Sequence, residues 1–109
     1  MKKRHIKPAP AQVPADENLY RALACLRDIN EVRAFLLDLC TPAELEALID
    51  RWRVVPMVEQ GLPYREIHEK TAVSVTTIGR VARSLVAGAG GYRLALTRLS
   101  RLKIKRAAP

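Results

Sequence analysis

Apolar residues recur every three or four positions along most of this chain, and no stretch alternates with the period of two that a half-buried strand requires. Leu19, Leu23, Leu26 and Ile29 form a first stripe, which Asp16 or Asn18 can cap and which ends near Asn30. A second short helix is predicted through Val32, Phe35, Leu36 and Leu39. The sharpest helix start is Thr41-Pro42-Ala43-Glu44: a capping hydroxyl, a proline where its missing N–H costs nothing, and a glutamate able to reach back to the cap. Leu45, Leu48, Ile49, Trp52 and Val55 follow at helical spacing, and Gly61 ends the run. Pro56 falls inside this helix, where a proline costs about 3 kcal/mol, so a kink or an early stop near Val55 is predicted. No internal repeat and no strand pattern is found, and every element is helical, which predicts an all-α fold.

Leu62-Pro63 opens the next segment, YREIHEKTAVSVTTIGRVARSL, from Tyr64 to Leu85. It reads as two short helices joined by Ala72-Val73-Ser74, a helix-turn-helix over residues 64–86. Ile67, Val73, Ile78 and Val81 are spaced to pack the two helices at a steep angle, while Thr76, Thr77, Arg80 and Arg83 stay outside. Ser74 caps the second helix, which runs to about Val86, and Gly88, Gly90 and Gly91 break the chain after it. A last helix from Tyr92 to about Lys103 puts Tyr92, Leu96, Leu99 and Leu102 on one face and Arg93, Arg98, Arg101 and Lys105 on others.

Charge sharpens this picture because it is unevenly distributed. Residues 1–18 carry four basic and two acidic groups, residues 19–70 seven against nine, and residues 71–109 eight against none. The excess of the net +8 thus sits on the outward helix and everything after it, as a surface that neutralises phosphates requires. A membrane surface attracts the same charge, but the helix from Val75 to Val86 spends its apolar face on its partner helix.

At 109 residues the chain makes one domain, with an ordered body of about 85 residues. Its expected layout is a flexible, basic, Pro-rich arm over 1–15, a helical DNA-binding and dimerisation domain over 16–103, and a basic tail over 104–109. A hydrophobic fraction of 49% is high for so small a body and predicts that a second copy covers part of it. No run of about 18 apolar residues occurs, and the basic N-terminus leads into Pro8, Pro10 and Pro14. Neither a membrane span nor a secretion signal is therefore expected, and the protein is placed in the cytoplasm with the nucleoid. Cys25 and Cys40 have no second pair and no His at ligand spacing, so they read as reduced, buried thiols and no metal site is expected.

Single residues carry competing readings. Thr76, Thr77 and Gly79, with Ser74 and Val75 at the helix start, are candidates for close contact with DNA, against a plain exposed helix surface. Arg83 and Arg93 suit phosphates. Three roles are open for Arg80: DNA contact, a ligand clamp, or an ion pair with an acid of the preceding helix. Arg51 and Arg53, beside Glu46 and Asp50, read as a solvated face or as a clamp. Trp52 reads as dimer-core packing, and His5 and His68 lack metal or triad partners. No nucleophile–base pair, phosphate-cradling loop or acidic metal cluster is found, so no catalytic residue and no enzyme activity is expected.

The segments CTPAELEALIDRWRVVPMVEQGLPYREI, TAVSVTTIGRVARSL and GGYRLAL together resemble the Trp-repressor family, and most nearly its branch of YerC/YecD-type related proteins, over roughly Leu19 to Leu99. The resemblance implies a six-helix subunit interlocked with a second copy, so that two reading helices face successive major grooves of a palindromic operator. In the Trp repressor an indole lies between two arginines, with a capping hydroxyl fixing the amino acid. Thr41, Arg51 and Arg80 stand at the matching positions, and Ser84 matches a further ligand-side serine. Val81, however, stands where the tryptophan-binding repressor has glycine, and its side chain fills the space that the indole takes there. Any co-repressor is then a small molecule other than tryptophan. Ala72 replaces the usual turn glycine, which costs about 1 kcal/mol if its backbone is left-handed, and His68 replaces a small residue.

The expected protein is a homodimeric, sequence-specific regulator of transcription, a repressor acting on double-stranded DNA. Three rivals share parts of the pattern: a sequence-blind architectural protein of the nucleoid, the targeting module of a recombination enzyme, and an adaptor that has lost DNA binding.

Overall fold

The structure, a computed structural model, describes residues 6–107 apart from 8 and 11, with side chains to residue 103. His5, much of the arm expected over 1–15, and the side chains of 104–109, Lys105 among them, lie outside the described residues. The described residues form six helices and no strand: α1 (Ala15–Ala24), α2 (Ile29–Leu39), α3 (Pro42–Glu59), α4 (Tyr64–Thr71), α5 (Val75–Ala87) and α6 (Gly91–Ala107). The all-α expectation is met. By backbone proximity the chain divides into Met1–Cys40 and Thr41–Pro109.

In the first unit α1 starts after Pro14 without any side-chain cap, so neither Asp16 nor Asn18 caps it. Asp16 lies inside the first turn with Glu17, where negative charge suits the helix dipole. The stripe predicted from Leu19 to Ile29 ends earlier than the expected Asn30, because Asp28 caps a new helix just before Ile29. The Glu31 N–H donates to Asp28 Oδ1 at 2.9 Å, and the Arg27 N–H donates to Glu31 Oε1 at 2.8 Å. This reciprocal pair halts α1 and restarts the chain as α2, so Leu26 and Ile29 never join Leu19 and Leu23 on one helix. Neither helix buries a residue within the chain. Cys25, at the end of α1, is accordingly exposed and Cys40 partly so, against the expectation of buried thiols; both are free.

The second unit holds the core. Val54 and Val55 of α3, Ile67 of α4, Val73 of the turn, and Ile78, Val81 and Leu85 of α5 are buried, with Trp52, Met57, Val58, Leu62, Tyr92 and Leu96 packed around them. The capping box of α3 forms as predicted: the Glu44 N–H donates to Thr41 Oγ1 at 3.2 Å, and the Thr41 N–H to Glu44 Oε1 at 2.8 Å. The Thr41 backbone N–H and, next, the Thr41 hydroxyl beside it hold the Glu44 carboxyl below its ordinary value of 4.5.

Of the kink or early stop predicted near Val55, the stop does not occur: α3 runs on to Glu59 through Pro56. Val54 and Val55 immediately before it are fully buried, and Met57 and Val58 after it pack on the same core. Burying each such side chain contributes about 1.5–3 kcal/mol, so together they outweigh the roughly 3 kcal/mol that an interior proline costs. The stripe on the first half of α3 behaves differently: Leu48 and Ile49 stay exposed within the single chain, as do Leu99 and Leu102 of α6. Trp52 packs partly on its own chain, its ring 6.2 Å from that of Tyr92. Gly88 is the C-cap of α5, in a conformation where a side chain would strike the Ser84 carbonyl oxygen.

Ala72 has φ 61°, the left-handed conformation that disfavours a side chain. Ala72→Gly should therefore stabilise the protein by up to about 1 kcal/mol, read as a higher urea midpoint at unchanged slope. Glu44 yields a second expectation. A carboxyl held low in the fold stabilises it above the unfolded pKa and loses that contribution as pH falls through the folded one. Acid titration of stability below 4.5 should thus flatten in Glu44→Gln, followed by helical circular dichroism.

Candidate nucleic-acid interface

One face of α5 is committed to the core through Ile78, Val81 and Leu85, at positions three and seven apart. The opposite face must point away from the unit, and there Thr76, Arg80 and Arg83 are exposed. Val75 is also exposed, while Gly79 and Thr77 are half-buried. Ser74 caps the helix: its hydroxyl accepts from the Thr77 N–H at 3.2 Å and donates to Thr77 Oγ1 at 3.0 Å. Thr77 is thereby drawn toward α3, where it lines a hollow of about 240 Å³ with Ala47, Asp50, Arg51 and the turn Ala72–Ser74.

The turn that aims α5 is tied from both sides. The Val73 N–H donates to Thr71 Oγ1 at 3.1 Å, and the Thr71 hydroxyl donates to the Ile67 carbonyl at 2.7 Å. His68 Nδ1 lies 2.7 Å from the Val73 carbonyl, and since a carbonyl only accepts, that nitrogen carries the hydrogen. His68, without a role in the sequence, closes the turn, and Ala72 is held left-handed between these bonds.

Electrostatics separates α5 and α6 from the rest. Among the described residues the ion pairs are Arg21–Glu17, Arg53–Asp50, Arg65–Glu69 and Lys70–Glu66, each within its own helix. The acids of α4 are thus engaged by cations of α4, which removes the option that Arg80 pairs with one of them. Arg80, Arg83, Arg93, Arg98 and Arg101 form no ion pair among the described residues, and Arg93, Arg98 and Arg101 are exposed on α6.

The four ligand candidates take different places in the single chain, and neither of the two hollows that Arg51 and Ser84 line holds both. Thr41 Oγ1 serves the α3 capping box. Half-buried Arg51 lines the hollow beside Thr77, whereas Ser84 borders another, of about 440 Å³, formed with Gly88–Tyr92. Arg80 lines neither. Val81 is only 1% exposed, its side chain sealed into the core.

The family profile described as "Trp repressor protein" matches residues 16–100, from the second residue of α1 through α5 and into α6. The chain belongs to the Trp repressor family. A Bacillus subtilis member described as the uncharacterized protein YerC is 36% identical over 83 residues, covering 76% of this chain and 80% of that protein. Among solved structures, a TrpR-like protein from Eubacterium eligens is 38% identical with a TM-score of 0.75, covering 82% of this chain and 92% of its own. A candidate Trp repressor from Staphylococcus aureus is 36% identical with a TM-score of 0.74, covering 79% and 86%. Proteins of the Trp repressor family are DNA-binding regulators, not enzymes, and this coarse assignment extends to the chain. No helix among the described residues is long and apolar enough to cross a membrane.

Because Arg80 and Arg83 are exposed and unpaired, Arg80→Ala and Arg83→Ala should each leave the unfolding free energy within about 0.5 kcal/mol of the parent in urea denaturation. A larger loss would show that they hold the fold together.

Proposed function

We propose that the protein is a sequence-specific repressor that binds duplex DNA as a homodimer through the outward face of α5. The observation that carries this reading is the unneutralised row Thr76, Arg80 and Arg83 on a helix whose other face is locked in the core. Thr76, with Gly79 and the helix start at Ser74 and Val75, meets base edges; Arg80 and Arg83 meet phosphates or base edges at the groove wall. Thr77 supports the cap and contributes its remaining donor capacity at the groove.

A second copy is supported by the apolar surface left open in one chain. Leu19, Leu23 and Ile29 on the first two helices, Leu48 and Ile49 on α3, and Leu99 and Leu102 on α6 are exposed in a body of only 109 residues. Twofold pairing of these faces presents two α5 helices to one side of a duplex, and a palindromic operator follows from that symmetry. The site of action is the chromosome, in the cytoplasm. A small effector, where one acts, engages Arg51, Arg80, Thr41 and Ser84 across the assembled dimer; a molecule other than tryptophan is favoured by Val81, which stands where the tryptophan-binding repressor has glycine.

Selection of bound duplexes from a random pool should return inverted half-sites about 34 Å apart, one helical turn. Sedimentation of the free protein should give twice the mass of the chain. Equal affinity for selected and random duplexes would instead mark a sequence-blind architectural protein.

A further inference from the structure

Gly79 lies in the middle of α5, and a side chain is missing there at a place where two others meet. A Cβ built on Gly79 would lie 3.5 Å from Arg83 Nη1 and 4.0 Å from Tyr64 Cε2. The Arg83 guanidinium therefore folds back one turn along α5, the direction helical side chains take, and rests over the bare backbone of Gly79. The Tyr64 ring reaches the same spot from the start of α4. Beside them is a hollow of about 410 Å³ lined by Tyr64, Ala82, Arg83, Val86 and Ala87. Its apolar lining is the side chains of Ala82, Val86 and Ala87, with Val86 83% exposed, and its polar groups are one phenol and one guanidinium. Among the described residues neither the Tyr64 hydroxyl nor Arg83 has an intramolecular hydrogen bond or ion pair.

We propose that Tyr64 and Arg83 jointly hold one backbone phosphate of duplex DNA at the rim of the groove, with the adjoining sugar resting on Ala82 and Val86. This rests on the DNA-binding reading above and adds to it a residue from outside the reading helix. The chemistry fits a phosphodiester: the guanidinium and the phenol O–H donate to phosphate oxygens, and the sugar offers C–H surface to the methyl groups. The occupant is a duplex rather than an acidic peptide because Arg83 lies on the same face of α5 as Thr76 and Arg80, seven and three positions earlier. In a helix-turn-helix the first helix crosses the DNA backbone as the second enters the groove, which puts Tyr64 of α4 over a phosphate. Tyr64 is 42% exposed, enough for its hydroxyl to reach outward while the ring stays seated.

The test compares Tyr64→Phe, Arg83→Ala and the double variant by titration against a labelled duplex of random sequence and against duplexes recovered by selection, at about 50 and about 200 mM salt. Tyr64→Phe keeps the ring and removes only the hydroxyl, and thermal unfolding verifies that each variant is folded. Tyr64→Phe should weaken binding to both duplexes by the same factor, about tenfold, the worth of a hydrogen bond to a charged group. Arg83→Ala should lower the slope of log affinity against log salt by about one. The double variant should lose less than the product of the two single losses, because both groups serve one phosphate. Unchanged affinity in Tyr64→Phe, a loss confined to the selected duplexes, or losses that simply multiply would each overturn the shared-phosphate assignment while leaving DNA binding intact. A parent protein that binds neither duplex would overturn the DNA-binding reading as well.

Discussion

The seam where α4 and α5 meet the second half of α3 is the constraint on which the other features depend. Val54 and Val55 present two adjacent buried side chains, and Ile67, Val73, Ile78 and Val81 close over them from the helix-turn-helix. With seven buried residues among those described, the core has little redundancy, so each of its members fixes an orientation as well as contributing to stability. Val73 is the hinge of this arrangement. Its side chain is buried, its N–H is held by Thr71 and its carbonyl by His68, so the turn cannot rotate without breaking packing and two hydrogen bonds together. The angle at which α5 leaves the turn, and hence the direction in which Thr76 and Arg80 point, is a consequence of that triple anchoring.

Charge is arranged so that the fold neutralises itself locally and leaves its excess in one place. The acids of α4 sit four residues from cations of the same helix, and Asp50 sits three from Arg53. Exposed pairs of this kind contribute only tenths of a kcal/mol, so stability is not their main effect. What they accomplish is to keep the field of α5 and α6 uncompensated, even though acidic side chains lie on the neighbouring helix.

Features written in consecutive residues were legible in the sequence. The Thr41 box, the Ser74 cap and the alternation of core and outward positions on α5 need only local spacing, and the structure repeats them. The boundary between the first two helices falls at Cys25–Asp28 rather than near Asn30, because Leu23, Leu26 and Ile29 keep helical spacing straight through it and periodicity does not register a cap within a stripe. The absence of a stop at Pro56 has the opposite reason: the local cost is visible in the sequence, whereas the burial of Val54 and Val55 that offsets it arises from α4 and α5. The same limit hid His68 and Tyr64. Their partners, the Val73 carbonyl and the bare backbone at Gly79, become neighbours only when the chain turns. Periodicity also identified the stripes on α1 and the first half of α3 without indicating that they stay uncovered within one chain.

Gly79 has a further meaning. A Cβ at that position meets its neighbours at ordinary van der Waals separation, so no architectural demand excludes alanine. Alanine in mid-helix is more favourable than glycine by about 1 kcal/mol, and the chain forgoes that gain. A residue that weakens its own helix, where the scaffold tolerates a better one, leaves a stretch of bare main chain in mid-helix between Arg83 and Tyr64.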